Sequence, residues 1–259
     1  MMESILPILL QSVGVLYQKR YDRLHKSIYG LSYDMYALDI ISRLMMIYIS
    51  LQYMFSPLIR KQLANRFPLF YPLDGQKVVV NFFLLMAETG MIYFNLKVMK
   101  QLINYRKTKH IHQGFSLYLF WTLAFCIVFH VFTLACSTVY LPESDMGKFG
   151  IFYIEHVNYI WVNVQFLQCV KFVPQISLNW MGNCTKGLSS KFVIMSLVSS
   201  VAGILSLYVD SADATNFFLV PWNSYPLFVF ICQTMSVLLI LYQAQYLYIN
   251  TSPYLPKRT

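Results

Sequence analysis

Charge is what this sequence has least of. Only 12% of its 259 residues are charged, with 11 acids against 20 Lys and Arg, where soluble domains carry about 25%. Glycine and proline number ten each, with no repeat that would mark a collagenous or low-complexity chain. The five cysteines, Cys126, Cys136, Cys169, Cys184 and Cys232, form no CxxC pair and no secreted-domain spacing, which argues against both a zinc site and a disulfide framework. A phosphate loop, a nucleophile elbow and a metal-spaced His and Cys set are missing too, and His110-x-His112, in a basic loop, is too sparse to assign a role. No catalytic residue, no metal and no cofactor are expected.

What the chain has instead is apolar surface. Hydrophobic residues make up 57% and aromatics 17%, more than one water-soluble core of this size can hide but what several bilayer-spanning helices use fully. The net charge of +9 does not point to nucleic acid, because Lys and Arg fall in short gaps between apolar runs, as in juxtamembrane loops. The start, MMESILPILLQ, has an acid before its apolar stretch and lacks a basic n-region and a cleavage site, so a cleaved signal peptide is not expected.

Apolar stretches near 20 residues predict spans at 5–18, 33–55, 78–98, 114–139, 153–176, 190–209 and 224–248. The first is short and contains Pro7; without it the count is six. Lys19, Arg20, Arg23 and Lys26 follow the first span, Lys100, Arg106, Lys107 and Lys109 the third, Lys186 the fifth, and Lys257 and Arg258 end the tail. Positive loops stay cytosolic, which puts the N-terminus in a lumen and the C-terminus in the cytosol. Glu3, Glu143, Asp145, Lys148, Asp210 and Asp213 fall on the lumenal side, and the gap with Arg60, Lys61, Arg66 and Lys77 is the exception. The sequons Asn183-Cys184-Thr185 and Asn250-Thr251-Ser252 lie at the cytosolic side and are expected to stay unmodified.

An offset of 157 aligns Gln18 with Gln175, Asp22 with Asn179 and Gly30-Leu31-Ser32 with Gly187-Leu188-Ser189. Each match begins as a span ends, so one loop-and-helix unit is used twice. Three helices, a linker helix and three more place both copies in the same sense, a known transporter plan with the substrate site between the halves.

Lys171-Phe-Val-Pro174-Gln175-Ile-Ser-Leu-Asn179, followed by Thr185-Lys-Gly187-Leu188-Ser189, resembles the PQ-loop motif of the cystinosin-like membrane proteins, relatives of the SWEET transporters and KDEL receptors. The first copy, Leu16-Tyr17-Gln18 through Gly30-Leu31-Ser32, is degenerate, with Tyr17 where the motif has proline. The resemblance implies an all-α integral membrane protein of seven helices, two parallel three-helix repeats joined by a linker helix (3+1+3). It divides the chain into a first repeat (1–98), a basic loop with the linker helix (99–145), a second repeat (146–250) and a cytosolic tail (251–259). A proline inside a helix removes a backbone donor and kinks it, so Pro174, Gln175 and Gln18 are hinge candidates; a helix terminator is the equal alternative.

Charges inside spans are costly and mark function by default. Asp39 and Arg43 stand four residues apart on one helix face and can pair. Glu88 has no such local partner and must pair across helices or serve a proton relay. The fifth span carries Glu155, His156, Asn158, Asn163, Gln165, Gln168 and Lys171, a polar band expected to face a water-filled cavity, with Glu155, Asn158, Asn163, Gln165 and Lys171 as substrate-cavity candidates. His130, alone in the fourth span, reads as a packing histidine. Nine residues past Gly187, where cystinosin-like exporters carry the aspartate tied to proton coupling, this chain has Ser196; the equivalent acid is Asp39. Coupling either survives through Asp39, with Glu88, or is lost. The resemblance thus implies a secondary exporter of a small polar solute, an amino acid first, from the lumen of a vacuole or lysosome to the cytosol, in contact with lipid and protons. The alternative is a non-transporting PQ-loop protein of endosomal or Golgi trafficking or phospholipid distribution.

Overall fold

The computed structural model describes residues 5–68, 71, 79–110, 112–138, 149–213 and 221–251. Glu3, Lys77, Glu143, Asp145, Lys148, Lys257 and Arg258, used above for orientation, lie outside them. The described elements are helical: α1 (Leu6–His25), α2 (Tyr33–Phe55), α3 (Pro57–Arg66), α4 (Phe82–Asn104), α5 (Leu117–Thr138), α6 (Tyr153–Val170), α7 (Val173–Gly182), α8 (Ser190–Asp213) and α9 (Leu227–Tyr242), with a π turn over Gln243–Leu247. No strand occurs among the described residues. Five helices, α2, α4, α5, α8 and the α9 segment, are long and apolar enough to cross a membrane. The first and fifth expected spans are also helical, as α1 and as α6 continued by α7, but carry more polar residues.

Local chemistry sets the boundaries. Ser32 caps α2, its hydroxyl accepting from the Met35 amide, and Ser56 and Asn81 do the same for α3 and α4. Pro7 and Pro57 occupy first turns, where a missing N–H costs nothing. Pro174 sits in the first turn of α7, just after the α-helical ladder stops at Val170, so the proline breaks one long helix into two. Tyr17, at the equivalent place, leaves α1 continuous through His25.

The helices pack in matching sets. α4 lies against α1 and α2, and α9 lies against α6, α7 and α8; across the two sets α1 packs on α8, and α2 on α6 and α7. The linker-position helix α5 touches mainly α6. Its large side chains, Tyr118, Trp121, Phe125 and Val128 among them, are exposed, as suits a helix whose solvent is lipid. The charge exception after α2 is explained in part by α3, whose Arg66 pairs with Glu155 at 2.8 Å.

Where the two repeated loops cross, the backbones nearly touch. A Cβ on Gly187 would lie 2.0 Å from the Tyr29 carbonyl oxygen and 2.6 Å from the Gly30 carbonyl carbon, and Gly30 itself has φ +77°. A side chain is excluded by contact at Gly187, and at Gly30 it is strained by the left-handed backbone. Gly187→Ala is therefore expected to destabilise the protein by about 2–4 kcal/mol, read as a lowered melting temperature in detergent. Gly90→Ala, whose Cβ would meet nothing within 4 Å, is expected to be neutral or stabilising by up to about 1 kcal/mol.

Candidate functional site: a buried ion network beneath a reciprocal glutamine clasp

Arg43 lies halfway along α2 and is 1% exposed. Its Nε donates to Asp39 Oδ2 at 2.9 Å, Nη1 to Glu88 Oε2, and Nη2 to Gln11 Oε1 at 2.9 Å. Asp39 is held from the other sides as well: Asn95 Nδ2 reaches Oδ2 at 2.5 Å, and Gln168 Nε2 and Lys171 Nζ reach Oδ1 at 3.1 and 3.3 Å. Lys171 also donates to Gln168 Oε1 at 3.0 Å and lies over the Phe172 ring. Two acids and two bases thus meet with no net charge, supplied by α2, α4 and the end of α6, and braced by amides from α1, α4 and α6. Burial would be prohibitive for any one of these ions alone; the four offset one another. A cavity of about 10 Å³, room for one water, touches Gln11, Asp39, Asn95 and Lys171.

Sequence position anticipated the Asp39–Arg43 pair and a cross-helix partner for Glu88, but not that Arg43 serves both acids. Lys171 joins the network from α6. The other polar residues of that helix scatter instead of lining one cavity. Glu155 caps the start of α6 and pairs with Arg66; Asn158 accepts from the Tyr53 hydroxyl at 2.5 Å; Asn163 meets His130 Nε2 of α5 at 3.0 Å. A helix turns 100° per residue, so polar groups at these spacings reach several neighbours. Gln165 alone is buried with both amide atoms unpartnered, and the Ser196 hydroxyl shares that condition.

Above the network, the repeat appears as a reciprocal hydrogen-bond clasp. Gln18 Nε2 donates to the Gly187 carbonyl at 3.0 Å and to Asp22 Oδ1 at 2.8 Å, while its Oε1 accepts from the Ser189 amide at 2.8 Å. Gln175 does the same in the other direction, with Gly30 at 2.8 Å, Asn179 Oδ1 at 2.8 Å and the Ser32 amide at 2.8 Å. Each glutamine uses its whole amide to hold the loop of the other half, which is why neither Glu nor Leu would substitute. Pro174 delivers Gln175 by restarting the helix; Gln18 reaches the same place without a break.

Gln113, Gln11 and Asn95 were missed. Gln113 is 2% exposed; its Nε2 donates to the Ile28 and Leu31 carbonyls, both at 2.7 Å, and its Oε1 accepts from the Gly30 amide at 3.1 Å. It ties the third loop to the first. The signal for Gln11 was available, because the 157 offset pairs it with Gln168.

Residues 164–215 match the family model of the PQ loop repeat. A protein of Saccharomyces cerevisiae (strain ATCC 204508 / S288c), the uncharacterized YCL002C, is 43% identical over 249 residues, which cover 96% of this chain and 94% of the yeast one.

Removing the centre of the network should be expensive. Arg43→Gln strands the buried Glu88 carboxylate and leaves Asp39 with Lys171 as its one counter-ion, and is expected to cost about 3–5 kcal/mol, measured by SDS-induced unfolding. Adding Glu88→Gln to it removes one stranded charge and should restore part of the loss; an unchanged or deeper loss would show that the two residues do not act as a pair.

Proposed function

This chain belongs to the PQ-loop repeat family of membrane proteins, and from that premise we propose that it is a secondary transporter moving a small polar solute, an amino acid first, from an organelle lumen to the cytosol. The architecture proposed with it is seven spanning helices in a 3+1+3 plan: α1, α2 and α4, then α5 as linker, then α6 with α7, α8 and α9. The domain limits are those of the sequence reading, the compartment is a vacuole or lysosome, and the N-terminus is lumenal.

The observation that carries this reading is the charged network held between the two helix sets at membrane depth. Ionisable groups are retained there at a cost in stability, and the midplane between parallel repeats is where such folds bind their substrates. Gln165 and Ser196 add polar atoms that a solute or water would satisfy. The clasp would close the cytosolic side above the water-sized cavity lined by Gln11, Asp39, Asn95 and Lys171. Asp39, with Glu88, is the proposed proton-coupling pair, and rearrangement around Pro174, Gln175 and Gln18 would open the path.

One observation favours a second reading, a non-transporting protein of trafficking or phospholipid distribution. Asp39, Arg43, Glu88 and Lys171 neutralise one another without any ligand, as a purely structural core would.

Uptake into reconstituted vesicles separates the two. With labelled amino acids and an imposed pH gradient, the wild type is expected to show gradient-driven flux, and Asp39→Asn, shown to be folded by its melting curve, to lose at least about tenfold of it. Absence of flux for every solute, from protein that is folded and correctly inserted, would overturn transport in favour of the second reading.

A further inference from the structure

The two halves of the clasp differ at one atom pair. In the second half Asn179 accepts from Gln175 and, through Nδ2, donates to Gln243 Oε1 at 3.0 Å in the π turn after α9. In the first half the same position holds Asp22, four residues beyond the first predicted span. Asp22 is 0% exposed. Its Oδ1 accepts the single bond from Gln18, and its Oδ2 has no hydrogen-bond partner. No ion pair reaches it among the described residues.

The surroundings do little for a negative charge. On α1 its neighbour is Tyr21, whose hydroxyl is committed to the Lys186 carbonyl at 2.7 Å. From α2 the Tyr36 hydroxyl comes within electrostatic reach and is itself unpartnered. From the second loop Cys184 lies beyond Tyr21. The Lys191 ammonium of α8 is placed over the Tyr17 ring, and α4 offers the neutral Gln101 amide to the Lys19 carbonyl. Burial pushes the Asp22 carboxyl up to about 7, against the one bond from Gln18. A proton on Oδ2 makes the group neutral, as Asn179 is in the other half.

We propose that Asp22 is a proton-binding site of the clasp: the closed clasp holds the carboxylic acid, and opening it to water lets the carboxylate form and returns the proton to the adjoining aqueous face. The site deepens the transport reading and takes its purpose from it, as a gate whose opening releases a proton toward the cytosol. The sign follows from the two states. A solvated aspartate in the open clasp has a value near 4, so the closed form gains most below about 4, loses that advantage as pH rises to about 7, and changes no further above it.

Cys184 gives a direct readout, being 5% exposed behind the clasp. The full-length protein with Cys126, Cys136, Cys169 and Cys232 replaced by serine is labelled with a maleimide between pH 4.5 and 8, without solute. Each rate is divided by that of the SDS-unfolded protein at the same pH, which cancels thiol ionisation. The normalised rate is expected to rise at least about tenfold over this range, and to stay at its low-pH level throughout in Asp22→Asn, the fixed mimic of the acid. Gln18→Ala should label fast at every pH. A flat wild-type profile, a rise retained in Asp22→Asn, or slow labelling of Gln18→Ala would each overturn the proposal. Should Asp22→Asn melt below the working temperature, infrared difference spectra of the wild type decide: a protonated-carboxyl band titrating in this window is expected, and its absence would overturn the site. Neither readout uses a solute, so a failure of uptake and a failure of this site are separate results.

Discussion

A guanidinium in the middle of a membrane protein cannot shed its charge, and everything around Arg43 follows from that. Lysine, histidine and the carboxylic acids can neutralise themselves by gaining or losing a proton; arginine in effect cannot. The bundle must therefore bring acids to it, and it brings two, Asp39 from one turn earlier on α2 and Glu88 from α4. Once two carboxylates are committed, a second cation is needed for balance, and Lys171 arrives from the end of α6. The amide of Gln11 adds a bond to Arg43, and those of Asn95 and Gln168 add bonds to Asp39, while Glu88 Oε1 is left without a hydrogen-bond partner. Helix positions that in a soluble bundle would be Leu or Ala are here fixed by electrical neutrality.

The repeat makes the asymmetry of this arrangement visible. Offset by 157, Asp39, Ser42 and Arg43 of α2 fall on Ser196, Ser199 and Ser200 of α8, and Gln11 falls on Gln168. Glu88 and Gln233 are each the seventh residue of their helices, and Gln233 donates to Gln168 at 3.2 Å. The first half carries Asp39, Arg43 and Glu88 where the second has neutral residues, and the second supplies the remaining ion, Lys171, where the first has Gly14. The clasps show the same bias, Asp22 facing Asn179. Across the 157 offset, both buried acids of the network and its arginine thus fall on the first side, and the helix-breaking proline on the second.

Much of this was legible beforehand. Hydropathy located the five helices long and apolar enough to cross a membrane, because lipid demands long apolar runs, but did not anticipate α3 or the separation of α6 from α7; the Gln18–Gln175 register marked the two loops that grip each other. Asp39 and Arg43 were readable as a pair because four residues make one turn. What resisted reading was partnership across helices. Nothing in the spacing of α6 says that Asn163 turns to His130 or that Lys171 reaches Asp39, since side-chain direction there depends on which neighbour each face meets. Gln113 was hidden for a different reason: it lies in a basic loop where polar residues are expected in water, and only the crossing of the loops makes it a buried strap. The break at Pro174 was legible as a break, while its meaning for Gln175 required the partner loop.

The isolation of α5 has its own consequence. A helix that meets the bundle chiefly through α6, with Thr133–His156 and His130–Asn163 as its polar contacts, is specified by length and greasiness more than by shape. Its lipid-facing letters can drift freely so long as they stay apolar. Among the described helices α5 is thus one whose message is little more than its hydropathy profile.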